Sequence, residues 1–431
     1  MSLSRSRRAL LLVVAGTLVL AGCSADSTTN PGTGGQSSAA SGVAALRPGA
    51  ATLGRAIFND PNLSLRRNQA CASCHDPAWG FTSPNSGINR GGAVMFGTIR
   101  DRFGNRKPPS AAYATQAPVL YFDPEDETYV GGSFWDGRAT GARLGVPAAE
   151  QAQKPFLNPV EQGLPDRACV VYRVAYGRYR EQYARTWGKD VYHIAFPPNT
   201  DQLCEREGAV IPIAPADTAA LGRAYDHIGL SVAAFEHSPE VNGFSAKHDA
   251  VLAGAATFSP LEAEGFALYV GKANCAACHP NAGPRALFTD YTYDNIGVPA
   301  NRQNPELLKD PAFRDLGVGG FFGQPEEYGK MKVPTLRNLD RRGDPNGVKA
   351  YMHNGAFKSL EQVVHFYNTR DVLPGCATTP SPRFGVNCWP APEVLENVNH
   401  DELGNLGLTP HEEAAVVAYL KTLSDGYIRR N

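Results

Sequence analysis

Cys71-Ala-Ser-Cys74-His75 decides how this chain is read, and Cys275-Ala-Ala-Cys278-His279 repeats it. Two thiols separated by two residues and followed at once by an imidazole are what covalent attachment of a c-type haem requires. The thiols add to the porphyrin vinyl groups and the His reaches the iron. With 9 Cys and 10 His in 431 residues, chance supplies roughly 0.004 such matches per chain. Two matches together are not accident. A redox-active dithiol is the competing reading, but neither copy sits in a βαβ pattern and such dithiols need no His. The sequence therefore predicts two covalently bound haem c groups, one held by Cys71, Cys74 and His75, the other by Cys275, Cys278 and His279.

The rest of the composition is consistent with an exported haem protein. At 431 residues and 42% hydrophobic the chain can bury two cores. A formal charge of −1 excludes the basic stripe that nucleic-acid binding wants. Arg5, Arg7 and Arg8 precede the apolar run Ala9–Ala21, too short for a membrane span. The run ends in Leu20-Ala21-Gly22-Cys23, which looks like a lipobox. Residues 1–23 are expected to be a lipoprotein signal peptide. Lipid on Cys23 would tie a periplasmic body to a membrane, and Ser24 at the next position points to the outer one. The remaining cysteines, Cys169, Cys204, Cys376 and Cys388, form two near pairs, as disulfides in an oxidising compartment would.

Residues 24–46, rich in Ser, Thr, Gly and Ala, read as a flexible tether. Leu53, Ile57 and Phe58 then give a helical stripe leading into the first motif. Gly80 to Ala117 is rich in Gly, Pro and Asn and reads mostly as loop. Asp217–Glu236 is the strongest helix of the first half, with Asp217 as N-cap and Leu221, Tyr225, Ile228, Val232 and Phe235 at spacings of three and four. Ser259-Pro260-Leu261-Glu262 and Thr409-Pro410-His411-Glu412 are capping boxes with Pro at the first helical position. No useful strand alternation appears. The expected fold class is all-α, mostly helical with long loops, in two cytochrome c-like haem domains. These span residues 47–250, with an insertion at 163–215, and residues 251–431, with an insertion at 371–400. Both insertions are expected to decorate the surface.

Further motifs turn two haems into more than a carrier. They are Phe134-Trp135-Asp136-Gly137-Arg138, then Gln151, Pro155 and Asn158-Pro159-Val160-Glu161. Lys332-Val333-Pro334-Thr335-Leu336-Arg337-Asn338 and Tyr351-Met352-His353-Asn354-Gly355 follow. In this order and spacing the chain resembles the bacterial dihaem cytochrome c peroxidase/MauG family, from about Leu53 to Leu423. The resemblance implies that Glu161 is the distal acid/base moving a proton between peroxide oxygens. It also implies that Gln151 and Pro155 line the same pocket and that Trp135 lies between the haems. Taken singly, a lone Trp is usually core and a lone Glu usually solvated.

The faces opposite the proximal histidines differ. Many family members place a removable His between the first motif and the Trp. Here no His lies between His75 and His193, so the first haem is expected to be five-coordinate and open to H₂O₂. For the second iron, Met331, Met352, His353, His365 and Tyr367 are the possible sixth ligands. The resemblance puts Tyr367 where peroxidases carry Met and MauG-like members carry Tyr, with Met352 the main rival. A phenolate favours higher iron oxidation states, whereas Met favours the ferrous form. The family's interhaem calcium is doubtful, because its Arg-Asn-Pro reads Arg106-Lys107-Pro108 here and an ammonium cannot ligate Ca²⁺. Lys107 could supply positive charge in its place.

Three functions follow in order of fit. The first is a MauG-like enzyme that uses peroxide to oxidise a protein substrate. The second is a peroxidase detoxifying H₂O₂ with a small cytochrome or copper protein as donor. The third is a non-catalytic dihaem carrier, against which Glu161 and Gln151 argue.

Overall fold

The computed structural model describes residues 47–427. The lipobox with Cys23 and the tether at 24–46 lie outside them. Eight helices of eight residues or more occur among the described residues. They are α1 (Ala50–Phe58), α2 (Pro147–Leu157), α3 (Arg167–Ala175), α4 (Arg180–Trp187), α5 (Thr218–Glu236), α6 (Pro260–Val270), α7 (Leu360–Thr369) and α8 (Pro410–Lys421). Two antiparallel strand pairs complete the regular structure. β1 (Tyr121–Asp123) pairs with β2 (Thr128–Val130), with Phe122 opposite Tyr129. β3 (Tyr293–Asp294) pairs with β4 (Met331–Lys332), with Tyr293 opposite Lys332. The long connections are turns and short 3₁₀ segments, so the chain is largely helical with extended loops.

Two apolar cores organise it. The larger gathers Leu53, Ile57 and Phe58 of α1 with Leu221, Ile228, Val232 and Phe235 of α5. The smaller gathers Tyr269 of α6 with Val416, Tyr419, Leu420 and Leu423 in and after α8. In each, the helix preceding a haem motif crosses a later helix at a glycine. A Cβ on Gly54 of α1 would lie 1.8 Å from the Ser231 carbonyl oxygen, and one on Gly265 of α6 would lie 1.9 Å from that of Ala415. Any larger residue would force the backbones apart, so glycine here serves close approach. The expected boundary near residue 250 falls inside the short helix Lys247–Leu252.

Both capping boxes form. The Ser259 and Thr409 hydroxyls accept from the Glu262 and Glu412 amides at 3.3 Å, and each glutamate accepts in return at 2.7 Å. Two expectations need correction. Asp217 precedes α5 but does not cap it; its carboxylate accepts instead from the Ala195 amide at 2.9 Å. Segment 163–215 does not decorate the surface. Its α3 and α4, with Tyr179 just before α4, pack Val170, Val171, Val174, Tyr179 and Tyr183 into the larger core. Cys169–Cys204 is a disulfide there, with both residues fully buried. The apolar faces of α3 and α4 are short and are masked in the sequence by the charges between them. In segment 371–400, Cys376–Cys388 is bridged and Trp389 is buried against Phe357 and Phe366.

Candidate active site

Each C-x-x-C-H motif folds as one tight turn. The His75 and His279 amides donate to the carbonyls of Cys71 and Cys275 at 2.9 Å, gathering two sulfurs and one ring on the same side of the turn. The imidazoles are then fixed from behind. His75 Nδ1 lies 3.0 Å from the Phe81 carbonyl oxygen and His279 Nδ1 lies 2.8 Å from that of Phe288. A carbonyl can only accept, so each Nδ1 carries the proton and each Nε2 keeps its lone pair for a metal. Burial lowers both imidazole pKa values, that of His279 to about 4. The rings are therefore neutral, as ligation requires. Burial also pushes the Cys74, Cys275 and Cys278 thiols up to about 12. That environment suits uncharged sulfur, as in a thioether, and disfavours the thiolate of a redox dithiol.

A cavity opens above the first motif. Cys71, Cys74, His75, Gln151, Pro155 and Glu161 all line it. Local sequence explains how the last three converge. Gln151 and Pro155 are one helical turn apart on α2. Pro155 cannot donate to the Gln151 carbonyl, which weakens the last turn. The chain then doubles back: the Glu161 and Gly163 amides both donate to Asn158 O, and the Gln162 amide donates to Pro155 O. That turn returns Glu161 to the cavity. Its carboxylate accepts from Asn158 Nδ2 at 2.9 Å. Burial raises its pKa, and the Asn158 hydrogen bond and the Arg138 charge offset this in part. A carboxyl whose protonated form is favoured by burial, and whose orientation Asn158 fixes, is suited to passing a proton.

A second cavity is lined by Cys275, Cys278, His279 and Tyr367, and also by Met331, Met352 and His353. Tyr367 projects from α7, and its hydroxyl makes no hydrogen bond to protein among the described residues. Burial raises the phenol pKa. His353 is 3.3 Å from the Glu393 carboxylate. His365 is not among the lining residues, and its Nδ1 lies 2.9 Å from the Glu413 carboxylate. Tyr367 and Met352 both stay in place to compete.

Trp135 lines both voids, together with Pro109, Ser110, Ala114, Lys332 and Pro334. Its Nε1–H donates to Lys107 O at 2.9 Å, and its carbonyl accepts from the Lys332 amide at 2.8 Å. Arg106 anchors the neighbouring Asp136 at 2.5 Å and Asp315 at 2.6 Å, so a buried cation holds the Trp-bearing loop. Gly137 is needed because a Cβ would lie 2.4 Å from the Tyr293 hydroxyl. Lys107 Nζ donates to Thr82 Oγ1 and Pro108 O, each at 3.1 Å, and burial lowers its pKa to about 8.

Sequence reasoning missed several lining groups. Ser133 and Tyr291 present buried hydroxyls without protein partners, as polar ends of a cofactor would want. Lys332, quoted only as the start of a family motif, lines both cavities. Glu236 lies four residues after Val232, and so continues the apolar face of α5; that spacing was the available signal.

A chain with two cavities, each floored by a C-x-x-C-H turn and joined at one Trp, is a dihaem redox protein. A family model for di-haem cytochrome c peroxidase matches residues 48–257. The methylamine utilization protein MauG of Paracoccus denitrificans is 34% identical over 389 residues, covering 87% of this chain and 88% of its own. The cytochrome-c peroxidase IdrP1 of Denitromonas iodatirespirans is 26% identical, covering 86% and 80%. The crystal structure of the diheme peroxidase BthA from Burkholderia thailandensis superposes with a TM-score of 0.66 at 26% identity, covering 88% of this chain and 87% of that one. The chain belongs to the dihaem cytochrome c peroxidase/MauG family and is an oxidoreductase of the peroxidase type. Family membership implies two haem cofactors, H₂O₂ and a redox partner or substrate.

Proposed function

We propose that this protein is an H₂O₂-dependent oxidoreductase carrying two covalent haem c groups, one in each half. Peroxide reacts in the cavity of Cys71–His75, and the charge is shared with the cavity of Cys275–His279 through Trp135. The observation that carries this reading is convergence: four separated segments bring Gln151, Pro155 and Glu161 over one motif, Tyr367 over the other, and Trp135 onto both. Bound in these cavities, the haems supply the electron chemistry of O–O cleavage. The chain supplies the rest. His75 and His279, with Nδ1 held by backbone carbonyls, would hold the irons through Nε2. Glu161 carries a proton from one peroxide oxygen to the other, with Asn158 fixing its orientation. Gln151 offers an amide to the bound peroxide, and Pro155 keeps that wall free of a competing N–H.

A MauG-like role with a protein as the oxidised substrate is favoured by Tyr367, whose hydroxyl is free to face the second iron, and by the lack of any His between His75 and His193. The alternative is a peroxidase fed by a small cytochrome or copper protein. The site of action is the periplasm, with lipid on Cys23 as the anchor.

Adding H₂O₂ to the diferric protein tests the reading. A rapid spectral change at both haems that persists without a donor is expected; rapid turnover of a reduced small cytochrome with no lasting change would favour the alternative. Glu161→Gln should slow the peroxide reaction by about 10²–10⁴-fold with both haems still attached, and an unchanged rate refutes the proton-transfer role. A Tyr367→Phe spectrum unaltered at the second haem would exclude the phenol as ligand.

A further inference from the structure

The two helix crossings put the halves of the chain in register. Gly54 of α1 meets the backbone of Ser231 and the Cβ of Phe235; Gly265 of α6 meets Ala415 and Tyr419 in the same i, i+4 pattern. Glu236, which follows Phe235, thus occupies the place that Leu420, following Tyr419, holds in the other half. Each lines the cavity of its own half. Leu420 is an ordinary apolar wall. Glu236 is a carboxyl on a residue 5% exposed, with no hydrogen bond or ion pair from its side chain to protein among the described residues. It is near enough to Cys71 to act on that thiol through space.

Nothing around it neutralises a charge. The titratable groups lining the same cavity are Cys71, Cys74 and His75 of the motif, Glu161 beyond α2, and Lys332 of β4. Lys332 Nζ donates to Gly132 O, and burial lowers its pKa to about 8. On α1, Arg55 is engaged at the surface by Glu240. On α2, Glu150 accepts from three backbone amides, those of Gly141, Arg143 and Leu144. On α5 itself, Asp226 pairs with Arg143 and His227 stacks on Trp187. His237, next in the chain, faces Thr115 Oγ1 at 3.0 Å. An unpartnered carboxyl buried this way resists ionisation, and its pKa rises to about 8 through desolvation.

We propose that Glu236 is a proton site coupled to the first haem alone. Resting on the reading of Cys71–His75 as a haem site, the coupling is electrostatic. The ferric macrocycle carries one more positive charge and favours the carboxylate; the ferrous one favours the acid. With haem bound there, uptake of one electron from the protein's redox partner would be accompanied by uptake of one proton from solvent, the Glu236 carboxylate becoming the carboxylic acid. The Leu420 side chain carries no titratable group, so this helix position gives the second haem no such link. The asymmetry between the two haems is thereby written into one helix position.

Spectroelectrochemical titration of the holoprotein from about pH 6 to 10 tests this, with Glu236→Gln and Glu236→Leu alongside. In the unaltered protein, reduction of the first haem should become harder by up to tenfold per pH unit above the ferric-state pKa, which is 59 mV for a one-electron couple. Both variants should flatten that slope and leave the second haem's profile unchanged. Equal slopes in variant and parent overturn the proposal. If the variants fold poorly, the ferrous-minus-ferric infrared difference of the unaltered protein decides: a protonated-carboxyl C=O band is expected, and its absence overturns the proposal. A count of one haem per chain would instead overturn the dihaem reading beneath it.

Discussion

Substituting Gly54 by Ala isolates the physics of the helix crossing. The new Cβ would stand 1.8 Å from Ser231 O, 2.4 Å from Ser231 C and 3.0 Å from Phe235 Cβ. The obstacle is main chain, so no rotamer change relieves it, and α1 and α5 must separate by more than an ångström. Overpacking of a well-filled core costs typically about 1–3 kcal/mol, and a backbone clash sits at or beyond the top of that range. Ala recovers about 1 kcal/mol of helix propensity over Gly. The net expectation is a loss of about 2 kcal/mol. Gly222, on α5 of the same core, has nothing within 4 Å of its Cβ position. Gly222→Ala should therefore gain about 0.5–1 kcal/mol, the propensity term without the clash. Urea unfolding of the holoprotein, followed by Trp fluorescence and the Soret band, measures both. A Gly54→Ala protein as stable as its parent, or a Gly222→Ala protein that loses stability, would refute the close-approach argument.

Two further outcomes follow from charge and covalent structure. Burial would raise the Asp315 carboxyl, but the Arg106 guanidinium overrides that and brings it to about 2, below the ordinary 3.8. Stability from this pair is present above pH 3.8 and drains away as pH falls towards 2, a loss of about 2 kcal/mol. The stability gap between the protein and Asp315→Asn should narrow by that amount between pH 5 and pH 2, and a constant gap would refute the assignment. The two disulfides should differ, because Cys169–Cys204 closes a separation of 35 residues and Cys376–Cys388 one of 12. Loop entropy gives about 4 and about 3 kcal/mol respectively. Replacing each pair by Ser, with unfolding followed by denaturant, should reproduce that order, and the reverse order would contradict it.

Much of this architecture is legible in the sequence wherever the physics is local. C-x-x-C-H, the Ser259 and Thr409 capping boxes and the stripes of α1 and α5 are short-range patterns, and each forms as its residues predict. Gln151, Pro155, Glu161 and Trp135, all in the family motifs, line one cavity together. Long-range partnership stays hidden. Nothing near Asp217 announces that its carboxylate serves Ala195 rather than α5, because the choice depends on a chain segment more than twenty residues away. Segment 163–215 looks superficial because Arg and Glu punctuate it; only the folded chain turns its buried face inward. Glu236 escapes notice for the opposite reason. Its spacing is helical and apolar, and a carboxyl on such a face looks like an edge residue until the cavity beside it is seen.

The wall around Trp135 has a consequence for how the molecule is put together. Lys332 and Pro334 complete the cavity over Cys71–His75, while Lys107 and Trp135 complete the one over Cys275–His279. Neither half owns all of its own lining. Cutting the chain near residue 250 would not yield two small cytochromes; it would yield two open troughs, each missing a side. A substitution at Trp135, Lys332 or Pro334 alters the walls of both cavities at once.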